Sequence, residues 1–216
     1  MAMGINLNVI THLKTSIAKP NGMVCGMYIA GIDEVGRGPL AGPVSIGIAW
    51  AKKEIDLKNK FPNLNDSKKL SEKKREEIYE LAKKDPDIFY CVISNTAKVI
   101  DEKGIEFAIN DAVTKACLKL PEGTYIYLDG RLKAPESFSQ ETVVGGDAKI
   151  PVISLASIMA KVERDRYMKK LSEDYPEYGL HKHKGYGTKA HMEAIAEFGL
   201  SEVHRASFCK NLLGER

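Results

Sequence analysis

Several features that would assign this chain to a membrane or secreted class are missing from its sequence. No run approaches the roughly 18 consecutive apolar residues that a membrane-spanning helix needs. Residues 1–22 include Lys14 and Lys19 but no sustained apolar stretch, so they do not resemble a signal peptide. The four cysteines include no C-x-x-C pair, which argues against a zinc site or a redox motif. These absences predict a cytoplasmic chain without a membrane partner.

Internal repeats and low-complexity linkers are also absent, and the charge balance is small. The 216 residues suffice for one hydrophobic core with a small appendage, and the net charge is only +3. The distribution of charge is more informative, because residues 178–192 carry Lys182, Lys184, Lys189 and three histidines but no acid. A local basic patch on a nearly neutral protein suits a polyanion bound at one face.

The hydrophobic pattern predicts strands first, and then strands that alternate with helices. We expect five strands, at 28–32, 44–50, 88–94, 125–128 and 141–144. Helices are expected at 72–84 with an N-cap at 65–67, around 105–116, at 151–171 and at 189–197. This order predicts an α/β fold with a mixed central sheet flanked by helices and a helical C-terminal part. The predicted divisions are an N-terminal extension over 1–26, one catalytic domain over 27–210 and a tail over 211–216.

Acidic residues stand at three points where an apolar strand gives way to a glycine turn. Asp33 and Glu34 precede Gly36, Asp129 precedes Gly130, and Asp147 follows two glycines. In α/β sheets, functional sites gather at such strand ends. If these strands are neighbours, the four carboxylates meet and would repel one another unless cations bind them. Oxygen ligands of this kind suit two Mg²⁺ or Mn²⁺ ions, which hydrolyse phosphodiesters in two-metal sites.

A structural interpretation remains open for some of these acids. An Asp-Gly pair is common in ordinary turns, so Asp129 or Asp147 taken alone would be unremarkable. Asp165 has Lys161 four residues before it, at ion-pair spacing, and we favour a structural role for it. His181 and His183 lack further ligands at zinc spacing, and we expect them to orient their loop.

Beyond the acids, a series of motifs resembles the ribonuclease HII family. The series begins with DEVGRG at 33–38 and NDSKKLS at 65–71, and Asp129-Gly130 and Gly146-Asp147 follow in order. It ends with ASIMAKV at 156–162 plus Arg164-Asp165, HKHKGYGT at 181–188 and HRASF at 204–208. The resemblance implies a ribonuclease H-like fold and hydrolysis of the RNA strand of RNA–DNA hybrids. It also implies incision 5′ of single ribonucleotides embedded in duplex DNA, which leaves 5′-phosphate and 3′-hydroxyl ends. The implied roles are ribonucleotide removal and RNA primer removal.

The resemblance also assigns roles to individual residues. Asp33, Glu34, Asp129 and Asp147 match the catalytic, metal-binding acids. Gly36, Arg37 and Gly38 resemble the turn whose backbone contacts the 2′-hydroxyl. Tyr186 resembles the tyrosine that stacks on the sugar at the ribo-to-deoxyribo junction, although a tyrosine between glycines is often only a partly buried anchor. Candidate phosphate contacts, which position a duplex without reading its sequence, are Ser67, Lys68, Lys182 and Lys184.

Two other classes of protein remain to be distinguished. A hybrid-binding module without catalysis would need the basic patches but not the four acids. Another nuclease of the same fold is a second alternative, either ribonuclease HIII or a junction resolvase. Asp147 argues against HIII, which usually has glutamate there, and the Gly-Arg-Gly turn with Tyr186 argues against a resolvase. A monomer is the default expectation.

Overall fold

The computed structural model describes residues 10–14, 27–62, 64 and 67–212. Most of the predicted N-terminal extension, part of the 65–67 segment and residues 213–216 of the predicted tail lie outside this range. Within the range, no helix combines the length and the hydrophobicity that crossing a membrane requires.

Within the described residues, six strands form one mixed sheet at the centre of the fold. In chain order they are β1 (Ile10–Lys14), β2 (Tyr28–Val35), β3 (Val44–Lys52), β4 (Phe89–Asn95), β5 (Tyr125–Asp129) and β6 (Gln140–Val143). Their spatial order is β1-β4-β3-β2-β5-β6. The first four strands in this order pair antiparallel, whereas β5 runs parallel to both β2 and β6. β1 pairs with β4 from within the predicted N-terminal extension and was not predicted from the sequence.

Helices cover both faces of the sheet and build the C-terminal part. They are α1 (Leu57–Lys60), α2 (Glu72–Lys84), α3 (Ala97–Lys103), α4 (Ile105–Cys117), α5 (Gly146–Lys149), α6 (Pro151–Asp174), α7 (Leu180–His183), α8 (Lys189–Phe198) and α9 (Ala206–Cys209). Two short 3₁₀ segments lie at Pro176–Tyr178 and Lys210–Leu212. The helical C-terminal part was predicted correctly, but the shorter helices α1, α3, α5, α7 and α9 were not predicted individually.

The hydrophobic core has one layer on each face of the sheet and a third, smaller cluster in the C-terminal part of the chain. On one face, the apolar side of α4 packs against β2, β3 and β5 through residues such as Ile109 and Ile32. On the other face, α6 and α2 pack together against β3 and β4. A third cluster joins the end of α6 to the C-terminal helices. The central strands β2, β3 and β4 are therefore buried on both faces over most of their length, as their near-continuous apolar sequences require.

Two glycines let α6 lie close across the middle of the sheet. A Cβ on Gly31 would stand 2.3 Å from the backbone carbonyl carbon of Val152, and one on Gly47 would stand 2.3 Å from the carbonyl oxygen of Ala156. Real Cβ atoms do not approach backbone so closely, so these two positions admit only glycine at this helix-to-sheet distance. The close packing fixes the start of α6 beside the strand that carries Asp33.

The observed boundaries differ from the sequence prediction at two informative places. β2 does not stop before the acids, because Asp33 and Glu34 still pair with Gly47 and Ile46 of β3. The hydroxyl of Ser71, not residues 65–67, caps α2 by accepting a bond from the N–H of Lys74. Ser71 is immediately followed by the helical run, so the nearer hydroxyl satisfies the first free amides.

Candidate active site

Asp33 and Asp129 lie side by side at the carboxyl ends of neighbouring parallel strands. β2 and β5 are in register with Ile32 opposite Leu128, so the next residue on each strand is one of these acids. Asp33 is buried, with only 6% of its surface exposed. The strand-end argument from the sequence therefore holds for this pair, because the two strands are parallel neighbours.

Glu34 follows Asp33 within β2 and is less deeply buried than Asp33. Its carboxylate is 23% exposed and its Oε1 lies 4.0 Å from a guanidinium nitrogen of Arg37. The other end of that guanidinium contacts Glu106 at the start of α4. The charge of Asp129 also acts on Glu34 and raises its pKa. Adjacent strand residues usually face opposite sides of a sheet, yet both acids of this pair interact with Asp129.

Asp147 reaches the same edge through α5. The backbone N–H of Gly146 donates a 2.6 Å hydrogen bond to Oδ1 of Asp129, which ties the start of α5 to the end of β5. A Cβ on Gly146 would stand 2.5 Å from Cδ1 of Ile153 and 3.3 Å from Oδ1 of Asp129, so the backbone passes close to both side chains here. Asp147 is the next residue and is buried, with 6% exposed. Lys68 Nζ lies 3.6 Å from its Oδ2.

The electrostatics of the cluster favour a bound cation. The pKa of Asp33 is raised to about 7, chiefly by burial; a hydrogen bond from Ser157 opposes this rise, and the charges of Asp129, Glu34 and Asp147 add to it. Burial is also the main cause of the raised pKa of Glu34. Four carboxylates that disfavour one another's charge form an oxygen-only donor set, the chemistry that Mg²⁺ and Mn²⁺ prefer.

The side chains of the four acids are not arranged as the ligands of one metal ion. Across the described ranges, no three His, Cys, Asp or Glu side chains are arranged to hold a metal ion. Two basic side chains, Lys68 and Arg37, instead approach Asp147 and Glu34 from outside. The donor set thus fits a divalent cation by its chemistry, although its side-chain geometry is that of a cluster approached by basic groups.

The turn at 36–38 sits next to the acids and exposes two backbone amides. Gly36 has φ +83°, a left-handed conformation that favours glycine, and a Cβ there would lie 2.1 Å from Nε of Arg164. Arg37 and Gly38 are exposed. Neither of their N–H groups donates a hydrogen bond to any residue that the structure describes. Within the described part of the chain, the turn therefore has two backbone donors without a partner, a few residues after Asp33 and Glu34.

Tyr186 lies on the neighbouring loop, which packs directly on the same region. Gly185 has φ +86°, and a Cβ there would stand 2.3 Å from the carbonyl oxygen of Ala41. The carbonyl of Gly185 accepts a 2.8 Å bond from the N–H of Leu40, two residues after the turn. Tyr186 itself is 43% exposed, so part of its surface is accessible to a ligand.

The four candidate phosphate contacts occupy different environments. Lys68 and Lys182 are exposed. The ammonium of Lys184 donates to the carbonyl of His181, and burial lowers its pKa. Ser67 is 4% exposed and its hydroxyl is hydrogen-bonded to that of Ser157 at 2.8 Å. Ser67 therefore reaches the acid cluster through Ser157, whereas the lysines lie at the surface.

Asp165 and the histidines behave as structural groups. Oδ1 of Asp165 accepts a 2.7 Å bond from Lys161, the partner that their spacing predicts. His181 bonds the hydroxyl of Ser172, and His183 bonds the carbonyl of Tyr178. These contacts agree with the loop-orienting role expected of the two histidines.

Several supporting residues were not found from the sequence. Ser157 lies on α6 under Asp33, and Arg164 and Arg205 lie buried behind the turn. His191 is completely buried and contacts the Tyr186 loop. Only their place inside the longer motifs could have singled them out, because their partners are remote in sequence.

The architecture is shared with solved ribonuclease H structures. The crystal structure of ribonuclease H2 from Pyrococcus horikoshii OT3 superposes with a TM-score of 0.70 at 29% identity, over 86% of this chain and 97% of that one. The fold and the acidic edge of the sheet thus define an endoribonuclease of the ribonuclease H class, which depends on a divalent metal ion.

Sequence comparison narrows the class to one family. The ribonuclease HII family model matches residues 30–211. Ribonuclease HII of Endomicrobium trichonymphae is 47% identical over 186 residues, covering 85% of this chain and 86% of that protein. Ribonuclease HII of Bacillus cytotoxicus is 50% identical over 182 residues, covering 84% of this chain and 68% of that protein. The chain belongs to the ribonuclease HII family and is an endonuclease acting on RNA–DNA hybrids.

Proposed function

We propose that this chain also incises duplex DNA on the 5′ side of a single embedded ribonucleotide, leaving a 3′-hydroxyl and a 5′-phosphate. The observation that carries the proposal is that the N–H groups of Arg37 and Gly38, in the turn that directly follows Asp33 and Glu34, have no hydrogen-bond partner among the described residues. A 2′-hydroxyl is both a donor and an acceptor, so such amides distinguish a ribonucleotide from a deoxyribonucleotide.

The four acids would hold two divalent ions, Mg²⁺ or Mn²⁺. Asp33 would lie centrally, with Glu34, Asp129 and Asp147 around it. Bound there, the ions would supply an acidified water for attack on phosphorus and charge stabilisation for the departing 3′ oxygen. The bond between Gly146 and Asp129 holds the 129 and 147 carboxylates at one edge. Because burial disfavours the ionised form of Asp33, a positive charge bound at that edge would stabilise its carboxylate.

The remaining candidate residues would position the nucleic acid. The 36–38 turn would receive the 2′-hydroxyl, and the exposed ring of Tyr186 would stack on the next sugar at the junction with DNA. Lys68, Lys182 and Lys184 would contact phosphates, with Ser67 supporting Asp33 through Ser157. Phosphate contacts position a duplex and make its affinity depend on salt. The proposed partners are thus RNA–DNA hybrids and ribonucleotide-containing duplex DNA. Cleavage of these substrates would serve the removal of RNA primers and of embedded ribonucleotides.

A cleavage assay tests the proposal. Three end-labelled duplexes of one sequence are compared: all DNA, DNA with one ribonucleotide, and an RNA–DNA hybrid. Each is incubated with Mg²⁺, Mn²⁺ or EDTA, beside Asp33→Asn. We expect a metal-dependent nick 5′ of the ribonucleotide that is lost in Asp33→Asn. A 2′,3′-cyclic phosphate product would mean that the 2′-hydroxyl attacked, and cleavage of the long hybrid alone would contradict the junction specificity.

A further inference from the structure

Residues 203–205 pair with the backbone just behind the 36–38 turn. The N–H of Gly42 donates to the carbonyl of Val203 at 2.8 Å, and the N–H of Arg205 donates to the carbonyl of Leu40 at 2.7 Å. Together they form an antiparallel bridge. The turn and the C-terminal segment are therefore one backbone unit, although they lie far apart in sequence.

The side chain of Arg205 holds the inner side of the turn. It is completely buried, and its three nitrogens donate to the carbonyls of Gly36 at 2.7 Å, Arg37 at 2.9 Å and Gly42 at 2.9 Å. No carboxylate within the described residues forms an ion pair with it. Burial, followed by the nearby charge of Arg164, lowers the pKa of Arg205 to about 9, so the guanidinium stays charged at neutral pH.

The bonds of Arg205 determine where the turn's amides point. All described peptide bonds are trans, and in a trans peptide the C=O and the following N–H point in opposite directions. Because Arg205 binds the Gly36 and Arg37 carbonyls, the N–H groups of Arg37 and Gly38 face away from it. These are the two amides that have no partner within the described chain.

His204, the residue before Arg205, supports the Tyr186 loop through hydrogen bonds that pass by way of His191. Nδ1 of His204 accepts from the N–H of Ser201 at 3.1 Å, so its Nε2 carries the hydrogen. That Nε2–H donates to Nε2 of His191 at 3.1 Å, and Nδ1–H of His191 donates to the carbonyl of Tyr186 at 3.0 Å. Both histidines are buried. The relay ends on the residue proposed to stack at the junction.

We propose that His204 and Arg205 are positioning residues that set ribonucleotide specificity, Arg205 by aiming the amides of the 36–38 turn and His204 by fixing Tyr186 through His191. The inference rests on the proposed function and adds to it a common support for both parts of ribonucleotide recognition. Arg205 and His204 act on different parts of the site, the turn and the Tyr186 loop, so substitutions at the two residues should change different binding preferences.

The test measures binding in an Asp33→Asn background, so that no substrate is cut. Dissociation constants are determined by fluorescence anisotropy for all-DNA duplex, DNA with one ribonucleotide and continuous RNA–DNA hybrid. Arg205→Lys keeps the charge but loses the three-way fork, and we expect its preference for both ribose-containing duplexes over DNA to fall about tenfold. Its affinity for all-DNA duplex should stay within about twofold of the parent.

The His204 variants separate positioning from general support. His204→Ala should lower the preference for the single ribonucleotide over continuous hybrid about fivefold, whereas His204→Gln, which restores an N–H donor, should recover most of it. Ser207→Ala is the matched control, because Ser207 anchors the same segment to Asp101 without touching the turn or the loop. Ser207→Ala should leave every ratio unchanged.

Each outcome has a distinct meaning. A parent protein without any preference for ribose-containing duplexes would overturn the proposed function itself. A parent with that preference, retained fully in folded Arg205→Lys, would overturn only the present inference, as would equal losses for all three duplexes. The His204 pair is independent of Arg205, so equal behaviour of His204→Ala and the parent refutes the inference even if Arg205→Lys does not fold.

Discussion

Ser67 and Ser157 share a hydrogen bond of 2.8 Å between their hydroxyl groups, across 90 residues of chain. Ser157 also interacts with the carboxylate of Asp33 and lowers its pKa, against the larger effect of burial. The DSKK segment, which carries Ser67, therefore acts on the acid cluster from the core side. A serine pair beneath a buried acid holds that acid in one orientation.

Replacing Ser157 should raise the pKa of Asp33. Ser157→Ala removes the group that stabilises the ionised carboxylate and leaves the hydroxyl of Ser67 without its partner, at a cost of about 1–2 kcal/mol in stability. Titration of the Asp33 carboxyl carbon by NMR in EDTA measures the pKa directly. Ser172→Ala is the control, since Ser172 is buried on the same helix but bonds His181 instead. An unchanged titration in Ser157→Ala would refute the interaction.

Asp33 should make the metal-free protein less stable as the pH rises. Its folded pKa of about 7 lies above the ordinary value of 3.8, so the folded state binds the extra proton between these values. Stability therefore falls from about pH 4 to pH 7, and Asp33→Asn removes this dependence. At pH 8 in EDTA, the variant should exceed the parent by on the order of 2–4 kcal/mol in urea unfolding.

Two controls accompany this prediction. At pH 4 the urea midpoints of the parent and Asp33→Asn should differ far less than at pH 8, because pH 4 lies close to the ordinary pKa of 3.8 and little of the cost of ionising buried Asp33 has accumulated there. Added Mg²⁺ at pH 8 should raise the midpoint of the parent more than that of the variant, because only the parent keeps all four acids. Equal stability at both pH values would show that Asp33 is not desolvated as described.

The two glycines of the 36–38 turn should respond differently to a methyl group. Gly36→Ala places a Cβ 2.1 Å from Nε of Arg164 at φ +83°, whereas a Cβ on Gly38 meets nothing within 4 Å. We expect Gly36→Ala to lose about 2–4 kcal/mol in unfolding free energy and Gly38→Ala less than about 1. Thermal and urea unfolding of both variants provide the measurement. A loss from Gly38→Ala as large as that from Gly36→Ala would contradict the described turn.

Tyr186 should matter for the junction and not for folding. Tyr186→Ala removes a ring that is 43% exposed, so the unfolding midpoint should move little. Cleavage at a single ribonucleotide should fall at least tenfold relative to cleavage of a continuous hybrid, because the hybrid does not depend on stacking at one junction. Tyr186→Phe separates ring from hydroxyl and should also weaken junction cleavage. A variant with the parent's substrate ratio would remove Tyr186 from the proposed function.

The sequence predicted the parts of the site that depend on local pattern and on one topological rule. Strand ends followed by glycine located Asp33, Asp129 and Asp147, and the parallel pairing of β2 with β5 made two of them neighbours. The same local pattern predicted β2 to β6 and the longer helices α2, α4, α6 and α8, with ends shifted by a few residues, but not the short helices.

The supporting groups could not be predicted, because their partners depend on the tertiary fold. A serine inside an apolar helix, such as Ser157, gives no local sign that it faces an acid on a strand. Arg205 looks like an ordinary charged residue until residues 203–205 pair with 40–42. β1 was missed for a related reason, since its pairing with β4 follows from a sheet edge that no local pattern describes.

The bond from Arg205 to Gly36 also has a consequence for the order of events during synthesis. It joins groups that are 169 residues apart, so the turn gains its support only after nearly the whole domain has left the ribosome. All four carboxylates emerge well before that moment. A nascent or truncated chain that ends before residue 203 would therefore carry the acids without the support of the turn that is proposed to recognise the 2′-hydroxyl.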